Sequence, residues 1–307
     1  YGRSPHVLVK HSPRYAVVSE YLHQSGFRPS YPKGKEWAVL ISHDVDWLNH
    51  LALPARQLMV KQAKRLLKGQ MGEFAKGWQE GKTRRVAEYS LKNLLDAHRE
   101  RGITSTYFFM ALKEGNQDFN YSIDQVKDEI EAVKAEGNEV GLHGGHEAFA
   151  SPDVLEMEMN ELGRHAGTFK GYRNHYLCFD VPHCWSKLAG KGFGYDATFG
   201  FAGNPGFRNG MCYPFRPFDL NKKAYVDILE FPLHLMDVSL FHYLGLSPKA
   251  AFPLAKQLIE EVRRLNGVFS LLWHNNYLTG EWGRFYLELL DYLVSLNPYI
   301  STHTEMM

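Results

Sequence analysis

Short apolar runs alternate with amphipathic stretches along the chain, and polar residues collect just after the runs. Residues 37–41 (Trp-Ala-Val-Leu-Ile) form a continuous apolar block, the pattern of a strand covered on both faces, and lead directly into His43, Asp44 and Asp46. A helix follows over 90–101 with Gly102 as its stop, then a β-branched and aromatic strand over 104–110. Ser122 and Gln125 make a capping box for a helix that closes at Gly137, and residues 139–142 form a short strand delivering His143. Ser151 and Pro152 cap a helix over 154–165. A strand near Phe169 delivers Arg173 and His175, a helix covers 184–190, and a strand covers 194–198. Residues 199–220, with four Gly and three Pro, read as a long loop of the kind that carries function. A strand over 227–232, a helix over 252–266, a strand over 267–273 delivering His274, and a helix over 284–296 complete the pattern.

About seven strand–helix units in one continuous order predict a parallel β/α barrel, with residues 1–35 as a cover and 36–307 as the barrel. Polar groups recur just after apolar strands, where such barrels assemble their sites. Neither glycine-rich phosphate fingerprint follows the first strand, which disfavours a nucleotide-cofactor fold.

Composition changes this picture little. The 307 residues are 44% hydrophobic, enough for a large core, and 35 Lys and Arg almost balance 34 Asp and Glu. Bulk charge therefore predicts neither a nucleic-acid nor a membrane partner. Residues 56–85 stand apart, with nine Lys or Arg against two Glu. A solvated basic helical insertion near 51–85 is the expectation there, and a nucleic-acid or anionic-surface patch the alternative. Cys178, Cys184 and Cys212 form no regular framework, so a reducing, cytoplasmic setting is expected. The first ten residues lack signal-peptide order, and no apolar run reaches the length of a membrane span.

The chemistry concentrates in a few residues. Asp44 and Asp46, two apart at a strand mouth, point the same way if the strand persists; close carboxylates repel, so one suits a cation and the other a tuned proton affinity. A capping or turn pair is the plain alternative. His143 and His146, in His-Gly-Gly-His, offer imidazoles for zinc or a similar metal, and with Asp46 they make a two-His, one-carboxylate set. His274 suits a proton donor, or a buried structural contact. Arg173 suits holding an anionic base, or an ordinary ion pair.

With these motifs in this order over roughly residues 36–300, the sequence resembles the polysaccharide deacetylases of the NodB-homology type, in a branch whose first motif reads His-Asp-Val-Asp. The resemblance implies a distorted (β/α)7 barrel. It implies Asp44 as catalytic base, Asp46 as metal ligand and His143 as a second ligand. For the third ligand His146 is chosen ahead of Glu147 and then His175, because the family's usual four-residue histidine spacing meets Glu147 here. Arg173, within Gly171-Tyr172-Arg173-Asn174-His175-Tyr176, would hold the base, although the family's Arg-Pro form is absent. Leu271 and His274 match the last motif, with His274 as general acid. Gly206-Phe207-Arg208-Asn209-Gly210 also resembles the branch, and Arg208 is a candidate for an acidic substrate group; Glu230 and Asp237 are candidates to shape the pocket or orient His274. The implied activity is zinc-dependent N-deacetylation of an N-acetylated sugar, oligosaccharide or surface-polysaccharide precursor, an acidic or nucleotide-linked sugar being a further option. The alternatives are another amide hydrolase acting on a non-peptide C–N bond, or a catalytically weak carbohydrate-binding protein on the same scaffold.

Overall fold

The computed structural model describes residues 12–48, 55–67, 69, 71–72, 74, 91–111, 119 and 121–307. Residues 1–11 of the expected cover, 51–54 and 75–85 of the expected insertion, and Ser90 of the expected helix lie outside the described residues. The strands are β1 (Ala38–Val45), β2 (Thr106–Met110), β3 (Glu139–Gly144), β4 (Gly171–Asn174), β5 (Tyr195–Asp196), β6 (Phe218–Asp219), β7 (Ala224–Tyr225), β8 (Leu229–Glu230), β9 (Leu235–Met236), β10 (Val268–Leu272) and β11 (Tyr299–Ser301). The helices are α1 (Val17–Gln24), α2 (Ala55–Leu67), α3 (Leu91–Arg99), α4 (Lys127–Ala135), α5 (Pro152–Ala166), α6 (His183–Gly190), α7 (Pro248–Arg264), α8 (Gly280–Ser295) and α9 (His303–Met306).

Strand β1 is the spine. The apolar block at 37–41 continues through His43 and Asp44 as strand, because both edges are occupied: β10 pairs with Ala38 to Ser42, and β2 with Ser42 to Val45. The parallel sheet runs β8-β5-β4-β3-β2-β1-β10-β9 among the described residues, a curled half-barrel. Strand β11 pairs with Ala38 to Leu40, on the stretch of edge that β2 leaves open. The sequence pattern did not mark β11, α9, β9 or the β6–β7 hairpin, all of them very short.

Two layers of side chains follow from the period of two. Even positions of β1 face inward, where Ala38 and Leu40 join Phe108, Tyr195, Phe231 and Val268 in a barrel core. Odd positions Val39, Ile41 and Val45 face outward into the larger core shared with α3, α4, α5, α7 and α8. The interior is tight: a Cβ on Gly141 would lie 2.7 Å from the Phe108 ring. At the far end α9 places His303 beneath the core, its Nδ1 2.8 Å from Thr106 Oγ1 and its ring stacked on Tyr195.

The described part of the cover lies against the long loop. Val18 and Ser19 donate their backbone N–H groups to the Gly210 carbonyl, and Ser19 Oγ accepts from the Cys212 N–H.

Candidate active site

Alternation along β1 separates the three polar residues that the sequence places together. His43 faces outward, its ring against His98, Tyr107 and Tyr286 and its Nδ1 donating to the Trp273 carbonyl at 2.7 Å. Burial holds its pKa well below the ordinary value, as fits a neutral core imidazole. Ser42 and Asp44 face inward at the open end of the barrel, and Asp46 follows just past the strand.

Arg173 on β4 meets them from across the barrel. Its Nη1 donates to Asp44 Oδ1 at 3.1 Å and to Ser42 Oγ at 2.8 Å, while Nε donates to the Ala197 carbonyl at 3.0 Å. The guanidinium lies 4.6 Å above the Phe108 ring and is wholly buried. Burial alone would raise the Asp44 carboxyl, but the neighbouring His143 and the Arg173 guanidinium bring it below its ordinary value. Ser42 then hands its own proton to the Leu271 carbonyl at 3.1 Å, locking Arg173 to β10 as well.

Three buried atoms in this space have no hydrogen-bond partner: Asp46 Oδ1, His143 Nε2 and His175 Nδ1. Asp46, His143 and His175 each offer one donor atom within 4.8 Å of the others. The Nδ1 of His143 lies 3.0 Å from the Arg173 carbonyl, which can only accept, so a neutral ring carries its proton there and turns the Nε2 lone pair inward. That lone pair faces Asp44 Oδ2 and Asp46 Oδ1, each at 3.6 Å. Acceptors facing acceptors in a buried pocket repel unless a cation sits among them. Two donors on one tetrahedral zinc stand about 3.3–3.6 Å apart, so the His143–Asp46 spacing suits that ion. Burial, with His143 and His146 alongside, pushes His175 down to about 2, leaving the neutral imidazole that a metal requires. Burial also raises Asp46, with Asp44 and Asp237 adding to the rise against the pull of His143 and His274; a cation would relieve that crowding.

The third position in this group is thus taken by His175, and His146, the first choice from the sequence, stands beside it. The His146 ring centroid is 5.0 Å from that of His175 and stacks at 18° on Tyr176. The backbone explains the exchange. Tyr176 and Leu177 both take positive φ, 56° and 51°, which turns the chain sharply after β4 and carries His175 inward. Neither residue is a glycine, so no residue type marks this turn. Glu147 is exposed in the loop after β3.

His274 follows β10. Its Nδ1 lies 2.8 Å from Asp237 Oδ1, its backbone N–H donates to Asp237 Oδ2 at 2.7 Å, and its Nε2 lies 3.9 Å from Asp46 Oδ2. Burial alone would lower its pKa, but Asp237, Asp46 and Asp44 outweigh that and push it up to about 10. Asp237 is itself fixed by the Val238 N–H and is fully buried. Glu230 has a different position: it accepts from Trp185 Nε1 at 2.6 Å and pairs across β5–β8 with Asp196, on the face covered by α6. Arg208 donates to the Gly200 carbonyl and lies 4.4 Å above the Phe199 ring.

One contributor went unread in the sequence. Glu158 on α5 is wholly buried between Leu155 and Leu162, and both its oxygens accept the Gly145 N–H, at 3.2 and 3.0 Å. It thereby holds the turn that joins His143 to His146. The signal was present: a glutamate occupies a position in the i, i+3, i+7 apolar stripe of the helix, where a leucine is expected. Gly144 in the same turn has no room for a side chain, since a Cβ would lie 2.2 Å from the Tyr172 hydroxyl.

No protein-family model and no curated protein matches the sequence. Solved structures do. A chain from Mycobacterium smegmatis named as a polysaccharide deacetylase aligns with a TM-score of 0.61 and 18% identity over 91% of both chains. One from Pseudomonas aeruginosa PAO1, also named as a polysaccharide deacetylase, gives 0.62 and 13% over 91% of this chain and 92% of that one. The Puue allantoinase gives 0.61 and 13% over the same shares. At these identities the likeness is one of fold, and the chain has the curled parallel β/α barrel that these deacetylases and the allantoinase share.

Proposed function

We propose that this protein is a metal-dependent hydrolase that removes the acetyl group from an N-acetylated sugar or oligosaccharide. The observation that carries the reading is the convergence of Asp46 Oδ1, His143 Nε2 and His175 Nδ1, buried and without hydrogen-bond partners, beside the Arg173–Asp44 pair. We assign Asp46, His143 and His175 as metal ligands, in place of His146. A divalent cation held there, zinc being the ion this nitrogen and oxygen set suits, would supply Lewis acidity to the amide carbonyl and acidify a water.

The chain's own groups do the rest. Arg173 occupies Asp44 Oδ1 and leaves Oδ2, the oxygen nearer His143, to take the proton of the attacking water. Asp237 fixes the Nδ1–H of His274 and keeps the ring protonated through the neutral range. The free Nε2–H of His274 then passes its proton to the departing nitrogen as the carbon–nitrogen bond breaks, so acetate and an amine leave. Tyr176 and Tyr277 flank the opening with partly exposed rings suited to a sugar face. The fold's occurrence in an allantoinase supports a nearby second reading, hydrolysis of another non-peptide carbon–nitrogen bond. Three buried free cysteines support a reducing, cytoplasmic setting.

The test is metal analysis of the purified protein joined to an acetate-release screen over N-acetylated sugars, oligosaccharides and nucleotide-linked sugars. Bound divalent metal and acetate release from one class support the reading. Metal binding with ring opening of a cyclic amide, read as a new carboxylate on the one product, and no acetate, would favour the second reading.

A further inference from the structure

Asp46 lies one residue past the end of β1, beyond the strand that carries Asp44. Among the described residues no hydrogen bond reaches its carboxylate, and His143 Nε2 and His274 Nε2 stand off at 3.6 and 3.9 Å. A side chain with no partner samples several rotamers, whereas a metal ligand must keep one direction closely. What holds Asp46 is the main chain around it. The carbonyl before it, on Val45, accepts the Tyr121 hydroxyl proton at 2.5 Å, and the same hydroxyl accepts the Met110 N–H at 2.9 Å. One tyrosine thus joins the ends of β1 and β2. The carbonyl after it, on Trp47, accepts from Asn275 Nδ2. A carbonyl can only accept, which fixes the way that amide is turned. Tyr121 and Asn275 are both fully buried. Asn275 Oδ1 has no partner, so this amide forgoes half of its hydrogen bonding to reach Trp47.

We infer that Tyr121 and Asn275 are positioning residues, which aim the Asp46 carboxylate by pinning the carbonyls on either side of it. The inference rests on the assignment of Asp46 as a metal ligand. The Tyr121 bond fixes the peptide plane that enters Asp46, and the Asn275 bond fixes the plane that leaves Trp47. With both ends held, the backbone at Asp46 has little room to turn, and its Cβ points one way. Asn275 also follows His274 directly in the chain. Its bond to Trp47 therefore ties the segment bearing the proton donor to the segment bearing the ligand, and keeps His274 Nε2 at its distance from Asp46 Oδ2. His143 needs no such help, because its own Nδ1 bonds the Arg173 carbonyl.

The experiment strips the full chain of metal and measures its affinity for zinc alone, by competition with a chromogenic chelator. Tyr121→Phe and Asn275→Ala should each weaken zinc binding by about 10–100-fold, the usual cost of losing a group that orients a ligand. Should Tyr121→Phe fail to fold, Asn275→Ala decides. Tyr213→Phe is the control. Its hydroxyl donates to the Leu265 carbonyl at 2.7 Å, a buried bond of the same kind before the start of β10, whereas His274 follows the end of that strand. This variant loses a comparable hydrogen bond and should bind zinc like the parent. The inference alone is overturned if the parent binds zinc and the Tyr121 and Asn275 variants bind it as tightly. It is overturned equally if Tyr213→Phe loses as much affinity as they do, because the effect would then be a general loosening of the fold. A parent that binds no zinc would overturn the metal assignment itself, and this inference with it.

Discussion

Glu158 offers a test of the site's construction that needs neither metal nor substrate. Burial pushes its carboxyl up from 4.5 to about 8, against the pull of the Gly145 N–H. A carboxyl whose pKa is raised by folding binds more protons folded than unfolded between those two values, so stability is whole below 4.5 and falls as pH rises toward about 8. The full loss, 3.5 units at 1.36 kcal/mol each, is at most about 5 kcal/mol. Glu158→Gln keeps a carbonyl oxygen for the Gly145 N–H and removes the ionisation. It also buries an amide that wants an acceptor, at a pH-independent cost of about 1–3 kcal/mol. The expected signature is therefore a slope. In denaturant unfolding of chelator-treated protein, the variant gains on the parent as pH rises through the window, by up to about 5 kcal/mol. A difference that stays flat across the window, or that shifts in favour of the parent, would refute the reasoning. A glutamate that costs stability here makes sense only as a strut for the His143–His146 turn.

The remaining predictions concern the centre itself. His175→Ala should weaken metal affinity beyond the roughly 10–100-fold typical of a supporting residue, whereas His146→Ala should change it little; metal titration separates them. His274→Ala should lower kcat by about 10²–10⁴ with metal retained, as loss of a general acid does. Asp237→Asn should move the alkaline limb of the kcat profile to lower pH, because His274, raised to about 10 in the parent, loses its protonated form earlier once that carboxylate is gone. Gly144→Ala should destabilise by about 1–3 kcal/mol in thermal or denaturant unfolding, since the Tyr172 hydroxyl it would strike is held by Asn174.

The sequence spoke clearly where one physical demand set the pattern. Strands with both faces buried need continuous apolar runs, so residues 37–41, 104–110 and 267–273 announced β1, β2 and β10, and the polar residues after them marked the open end. Caps were equally readable: Ser122 with Gln125, and Ser151 with Pro152, sit where the structure uses them. What escaped depends on tertiary geometry. The choice between His146 and His175 turns on two non-glycine residues with positive φ, which no residue type advertises. Helix α7 begins at Pro248 rather than near 252, capped by Ser247 and running through Pro253, a residue that reads as a boundary. Strand β11 and α9 are too short for periodicity and exist because the lower edge of β1 and the floor of the barrel need covering.

The central claim divides labour between two carboxylates that stand two residues apart, Asp46 for the metal and Asp44 for the proton. The most direct measurement compares Asp46→Ala and Asp44→Asn, each assayed for bound divalent metal and for acetate release on the substrate found by the screen. Asp46→Ala should lose both metal and turnover. Asp44→Asn should keep its metal and lose turnover by about 10²–10⁴. Equal metal loss in the two variants, or an Asp44→Asn protein that turns over like the parent, would contradict the account.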